Sequence, residues 1–328
     1  MMNIIKGKIL NVYETGCLLA NGYMLQDTQR EYCINNLKFS LLSRHSLSRR
    51  LFRAEITGLC SLKNGDRLVI AKKGLFLQRK GSGSFERCFA VPRGSRPLNL
   101  CIAPSGNIFF GEYFQNMGKD AVNIYCSKNN AKTWDIAYTF DAGNINHIHG
   151  LFLDKYTNLI WVATGDRENE CIIGYTEDEF KTFVEVFRGG QEYRTCQLFF
   201  YKDFIVFGTD TQYEQNVIKK FDRKTLEITE LQKVQGSVIK GGQVGDVAFI
   251  STTVEPSEVN TDKYAHLWVT KDGIHWGERY KAKKDCWPSI FQFGTFEFPQ
   301  YNVEKIDRLY FSGRALKGLD GKTTYIDL

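Results

Sequence analysis

The sequence predicts an all-β protein, a single-domain β-propeller over residues 1–328 with seven four-stranded antiparallel blades, six being the alternative count. Three observations predict it. Short apolar runs rich in β-branched and aromatic residues recur along the chain, each after a turn rich in Gly, Asn, Asp or Lys: DRLVIA, GNIFFGEY, NLIWVATG, DFIVFGTD, DVAFISTT and DRLYFSG. Each run follows another apolar run by about 8–12 residues, the interval of short strands in antiparallel sheets. A longer register overlies this one. Candidate first strands begin near Lys8, Ala54, Leu98, His147, Arg194, Val238 and Trp287, in steps of 44 to 49 residues, and four short strands per period in the forties is the pattern of a propeller blade. No amphipathic helical segment of useful length interrupts it.

Composition agrees element by element. A hydrophobic share of 43% in 328 residues can bury a sizeable core. An aromatic share of 14%, with 24 Phe and 16 Tyr, suits pleated, half-buried surfaces. The 29 Gly against 6 Pro provide many tight turns and few rigid linkers. The first blade, from Lys8, is the least regular. The N-terminal strand is expected to complete the last blade, which ends in KTTYIDL, so that sheet edges are paired.

The 43 basic and 37 acidic residues leave a formal charge of +6, which mildly favours anionic ligands. It makes no nucleic-acid footprint. The densest basic stretch, Arg44 to Arg53, reads as a solvated turn. No apolar run approaches the roughly 18 residues of a membrane span, so neither nucleic acid nor membrane is expected as partner. Lys6, Lys8 and Glu14 interrupt the N-terminal apolar residues, which argues against a signal peptide and for a cytoplasmic protein. The nine Cys never fall at CxxC spacing and mostly sit in strand-like runs, as buried reduced thiols do, rather than zinc ligands. No cofactor is expected.

One turn motif recurs in phase with the blades. Ser127-Lys128-Asn129-Asn130-Ala131-Lys132-Thr133-Trp134 resembles the Asp-box, usually written S-x-D-x-G-x-T-W. Thr176 to Phe183 is a second copy, with Phe for both the Gly and the Trp. Thr270 to Trp276 is a third, one residue shorter. Over roughly residues 54–328 the chain is therefore similar to the Asp-box (BNR) repeat proteins of the sialidase-like propeller superfamily. The role of such a box is structural. Its Asp or Asn bonds the turn's own backbone, and its aromatic residue packs between blade strands. The resemblance implies that ligands bind on the opposite face, around the channel, where first strands begin and second-to-third loops open.

That face collects Arg53, Arg96, His147, His149, Arg194 and Asp285 at the starts of first strands. The loops add Glu112, Tyr113, Asn116, Asp166, Glu170, Asp210, Asn216, Glu255 and Arg314. His147 and His149, at i and i+2 in a strand, point the same way. They read as a proton-transfer pair, as a metal site completed by Glu112 or Asp166, or as channel-lining residues without chemistry. The expected catalytic set is His147, His149, Glu112 and Asp166. Arg194, helped by Arg53 or Arg314, is expected to hold a sugar carboxylate bidentately; Tyr113, Asn116, Asp210 and Glu255 complete the substrate-binding set. Sialidases hold their sugar acid with an arginine triad whose first member lies in F-R-I-P. Here Phe52-Arg53-Ala54-Glu55 keeps Phe-Arg and loses Ile-Pro, and the sialidase tyrosine nucleophile and its partner Glu are not assigned. The expected function is a carbohydrate-active enzyme, glycoside hydrolase or lyase, acting on an oligosaccharide that carries a carboxylate. The alternative is a non-catalytic propeller that binds a glycan or a protein. A hydrolase needs two suitably spaced carboxylates; a lyase needs a base and a cation for the sugar carboxylate.

Overall fold

The structure, a computed structural model, describes residues 3–14, 16–26, 31–34, 43 and 45–328. They form seven sheets of short strands, antiparallel but for one added edge strand, with almost no helix, the predicted seven-bladed β-propeller. The apolar runs that announce the blades in the sequence are second strands, such as Arg67–Ala71, Ile108–Gly111, Ile160–Gly165 and Phe204–Thr209. These strands are covered on both faces and read as unbroken hydrophobic runs, as doubly buried strands do. Fourth strands such as Val184–Gly189 and Gly277–Lys283 are largely exposed and correspondingly polar.

The chain divides into two compact units. The unit Ile56–Phe200 contains three complete sheets, in which consecutive strands pair in order. Its core joins neighbouring sheets through Phe109, Ile124, Phe140, Ile148, Val162 and Phe180. Two of the three related turns lie here and close by the same pattern. Ser127 Oγ accepts the N–H of Ala131 at 2.9 Å, and Thr176 Oγ1 accepts that of Phe180 at 2.9 Å. Asn129 Oδ1 and Asp178 Oδ1 accept the N–H groups of Thr133 and Thr182, each at 2.9 Å. Trp134 packs on Phe89 and Phe110, which belong to two neighbouring sheets, and Phe183 on Tyr138 and Phe140 of the sheet before its own.

The unit formed by residues up to Glu55 and from Tyr201 onward contains the predicted closure. Ile5–Lys6 pairs antiparallel with Lys322–Asp327, in register Ile5 with Thr323, as the outer strand of the last sheet. Lys8–Tyr13 then begins the next sheet, flanked by the parallel strand Gln300–Asn302. Thr323 ties the junction: its Oγ1 accepts the N–H of Ile9 and donates to the carbonyl of Gly7, both at 2.9 Å. It is fully buried. Thr323→Val keeps the shape and orphans a buried N–H and a part-buried carbonyl, each costing about 1–3 kcal/mol. The variant is expected to unfold at lower urea than the wild type by about 2–4 kcal/mol, whereas Thr323→Ser keeps most of the stability; equal midpoints for all three would refute the junction's role.

Two expectations need correction. The last first strand is Thr295–Glu297, eight residues after Trp287, because residues after Asp285 are used in turns. The basic stretch is not a solvated turn: from His45 it caps and forms a helix, Ser46–Phe52, with Arg49 and Arg50 buried. Arg44 lies outside the described residues. Arg50 Nη1 is 2.6 Å from Asp285 Oδ2, its Nε donates to Gln292 Oε1 at 3.1 Å, and its guanidinium stands 4.8 Å over Trp287. Burial favours the neutral Asp285 carboxyl, but the Arg50 hydrogen bond and charge, the Trp287 N–H and Lys284 together outweigh it and lower the pKa. The charges are solvated by a carboxylate more than two hundred residues away, which no local charge count reveals.

Among the described residues eight cysteines are free thiols, and burial pushes those of Cys60 and Cys101 up to about 12. Among the described residues no helix is long and apolar enough to cross a membrane.

Candidate functional site

The site lies within the unit Ile56–Phe200. Strand His147–Leu153 pairs with Ile160–Gly165, but the register shifts between Ile148 and Gly150, so His149 has no opposing residue. A bulge at the start of a strand re-aims the side chains around it. Here it brings the two imidazoles together, with Nε2 atoms 3.1 Å apart. Opposite them the chain has a glycine. A Cβ on Gly165 would sit 2.5 Å from Cε1 of His149, so the bare backbone makes the room that the ring occupies. Asp166 follows directly and closes the cluster. Its Oδ1 lies 3.1 Å from Nε2 of His149, and its Oδ2 lies 3.4 Å from Nε2 of His147.

The outer nitrogens decide the protonation pattern. Nδ1 of His147 is 2.9 Å from the carbonyl oxygen of Phe114, and Nδ1 of His149 is 3.0 Å from that of Thr195. A carbonyl only accepts, so both Nδ1 atoms carry hydrogen. Neutral imidazoles in that tautomer have bare Nε2 atoms. Two lone pairs and a carboxylate therefore converge on one point.

The carboxylate is held from outside as well. Arg194 Nη2 is 2.9 Å from Asp166 Oδ1, and Asn146 Nδ2 donates to Oδ2 at 3.0 Å. Gln191 accepts from Arg194 Nη1 at 3.4 Å and donates to the Asp166 main-chain oxygen at 2.9 Å. The side chains of His147 and His149 are 6% and 1% exposed, while that of Asp166 is 31% exposed, so the cluster meets solvent at its carboxylate. The half-buried Tyr113 ring lies 4.3 Å from that of His147, centroid to centroid.

The structure thus brings together His147, His149, Asp166, Arg194 and Tyr113. Glu112 is engaged elsewhere: it binds Arg93 through both oxygens, accepts the N–H of Asn123 at 2.9 Å and faces the Tyr125 hydroxyl at 3.3 Å. Glu170 pairs with Lys119 at 2.9 Å. Asn116 closes its own loop, bonding both the N–H and the carbonyl of Asp120. Arg53, Arg314, Asp210 and Glu255 belong to the other unit. There Arg53 is the exposed left-handed residue that ends the helix, Arg314 binds Glu297 and Glu55, Asp210 is buried, and Glu255 accepts from Gln212 at 2.5 Å. Sequence reading missed Asn146, Gln191 and Arg93. Asn146 had the signal of adjacency to His147; the carbonyls of Phe114 and Thr195 have no residue-type signal at all.

No family model and no curated protein matches the chain. Solved structures do. The extracellular domain of a hybrid two-component system from B. thetaiotaomicron is 8% identical with a TM-score of 0.61, over 100% of this chain and 42% of that one. The WD40 β-propeller domain of Doa1 is 10% identical with a TM-score of 0.58, over 99% of this chain and 94% of that one. A GH74 xyloglucanase from Xanthomonas campestris is 13% identical with a TM-score of 0.55, over 85% of this chain and 46% of that one. The chain spans less than half the length of the first and third. Likeness at these identities shows the propeller fold and nothing finer, because propellers host unrelated activities.

Proposed function

We propose that the protein is a carbohydrate-active enzyme acting on a sugar that bears a carboxylate, with its reactive centre at His147, His149 and Asp166. The observation that carries this reading is the convergence of two lone-pair nitrogens and a carboxylate on one point. Such a point must hold a cation. Arg194 balances Asp166, so a cation between the imidazoles leaves the centre net positive and suited to an anionic substituent. The half-buried Tyr113 ring beside it offers an apolar face to a sugar. The three Asp-box-like turns are the feature that this reading shares with the sialidase-like propellers.

The geometry favours a lyase over a hydrolase. Hydrolysis with two carboxylates needs a second free one at a suitable separation, and the loop carboxylates Glu112 and Glu170 are engaged with Arg93 and Lys119. Elimination instead removes the proton α to the sugar carboxylate, forms a carbon–carbon double bond and breaks the bond to the leaving oxygen, which takes up a proton. With a proton as the cation, the paired imidazoles are the acid–base couple of that step.

Uronate-containing oligosaccharides should be consumed with the ultraviolet absorbance of an unsaturated product, and neutral ones left intact. His147→Ala and His149→Ala are each expected to lower turnover by about 100-fold or more. Unaltered turnover in both, or binding of the sugar with no product, would remove the enzymatic reading; the latter outcome favours a glycan-binding module.

A further inference from the structure

The cation at this centre has a chemistry of its own to be identified. We propose that His147, His149 and Asp166 bind a divalent first-row transition-metal ion through the two Nε2 atoms and the carboxylate. This rests on the reactive centre proposed above and names a metal ion in place of a proton as its cation, so that the imidazoles act there as ligands.

Four features point the same way. First, both Nδ1–H groups are spent on main-chain carbonyls, which leaves Nε2 as the only donor atom of each ring; metal-bound histidines are oriented by such an outer hydrogen bond. Second, the spacing fits. With bonds of about 2.1 Å, ligand atoms around one ion stand about 3.0 Å apart at octahedral angles and about 3.4 Å apart at tetrahedral ones. The separations here are 3.1 Å between the imidazoles and 3.1 and 3.4 Å to the carboxylate. Third, the carboxylate has its own outer partners, Arg194 on one oxygen and Asn146 on the other. Fourth, two imidazoles and one carboxylate suit manganese, iron, cobalt or zinc; calcium and magnesium prefer all-oxygen shells. Three protein ligands leave coordination positions open, and the exposed edge of Asp166 gives solvent and substrate access to them.

The test measures metal without any sugar. Protein stripped by a chelator and dialysed is titrated at neutral pH with zinc, cobalt or manganese chloride by calorimetry, with cobalt also followed by its visible spectrum. One equivalent should bind, cobalt should develop an absorption band, and the ion should raise the unfolding temperature of the wild type. His147→Ala and the near-isosteric Asp166→Asn should each bind at least about 100-fold more weakly, with no metal-induced rise in unfolding temperature. Circular dichroism identifies a variant that is unfolded, and the other variant and the wild-type titration then decide. If folded wild type takes up none of the three ions, or if both variants bind as the wild type does, the metal site is refuted. Turnover of an acidic oligosaccharide by stripped protein would refute the metal while sparing the sugar; stoichiometric metal with no turnover would do the reverse.

Discussion

Glu297→Gln is expected to destabilise the protein by about 3–5 kcal/mol at neutral pH, the cost of removing one partner from a buried ion pair. Glu297 ends the first strand of the last blade. Its carboxylate binds Lys8 and Arg314, and Arg314 in turn reaches Glu55 at 3.2 Å. The side chains of Glu297, Lys8 and Arg314 are 7%, 11% and 14% exposed. Glutamine would leave the two buried cations without their shared carboxylate, with Glu55 and Asp320 still acting on Arg314. The sequence reading gave Arg314 to a sugar carboxylate; its two protein carboxylates make it a member of this network.

The same network sets a pH dependence. Burial would raise the Glu297 pKa, but Arg314 and Lys8 outweigh that and hold it well below its ordinary value. An unfolded glutamate titrates near about 4.3. The group therefore contributes its full stabilisation above that value and loses it as pH falls toward the lower folded pKa. Urea unfolding of wild type and Glu297→Gln should differ by a constant amount from pH 8 down to about 5 and converge on further acidification. A gap that is absent at pH 7, or that widens in acid, would contradict the ion-pair account.

How much of this was legible in the sequence depends on the range over which each feature is encoded. The blades were legible because each needs one doubly buried strand, and runs such as IWVATG and FIVFGT announce it locally. The closure was legible because KTTYIDL needed a partner and the N-terminus offered one. The pairing of His147 with His149 was legible from strand alternation, although a bulge rather than an ideal strand delivers it. The roles of the charged residues were not. Arg50 and Asp285, Arg93 and Glu112, and Arg314 and Glu297 are tertiary pairs. A charge count assigns such residues to solvent or to a ligand, and only folding shows which carboxylate already satisfies which guanidinium. Arg194 is the sharpest case: its charge is spent on Asp166 rather than held out for a substrate.

Gly165→Ala tests the centre without touching any of its polar groups. The added methyl would stand 2.5 Å from Cε1 and 3.0 Å from Nε2 of His149. That ring cannot retreat freely, because its Nδ1 is anchored to the Thr195 carbonyl and its side chain is 1% exposed. Relief requires breaking that anchor or moving the strand that carries Asp166. Either displaces Nε2 by a substantial fraction of an ångström from a cluster whose members are spaced at hydrogen-bond distances. Misplacement of about 1 Å in a reactive centre can cost roughly 100-fold. Overpacking of a close-packed interior typically costs only about 1–3 kcal/mol of stability. The expected variant is therefore folded, modestly less stable, and deficient by about 100-fold in cation binding and in turnover of an acidic oligosaccharide. Calorimetry, the product assay and urea unfolding on one preparation read all three. A Gly165→Ala protein that retained wild-type binding and turnover would show that the imidazole position is not what the centre depends on. The chemistry would then have to lie elsewhere than between His147, His149 and Asp166.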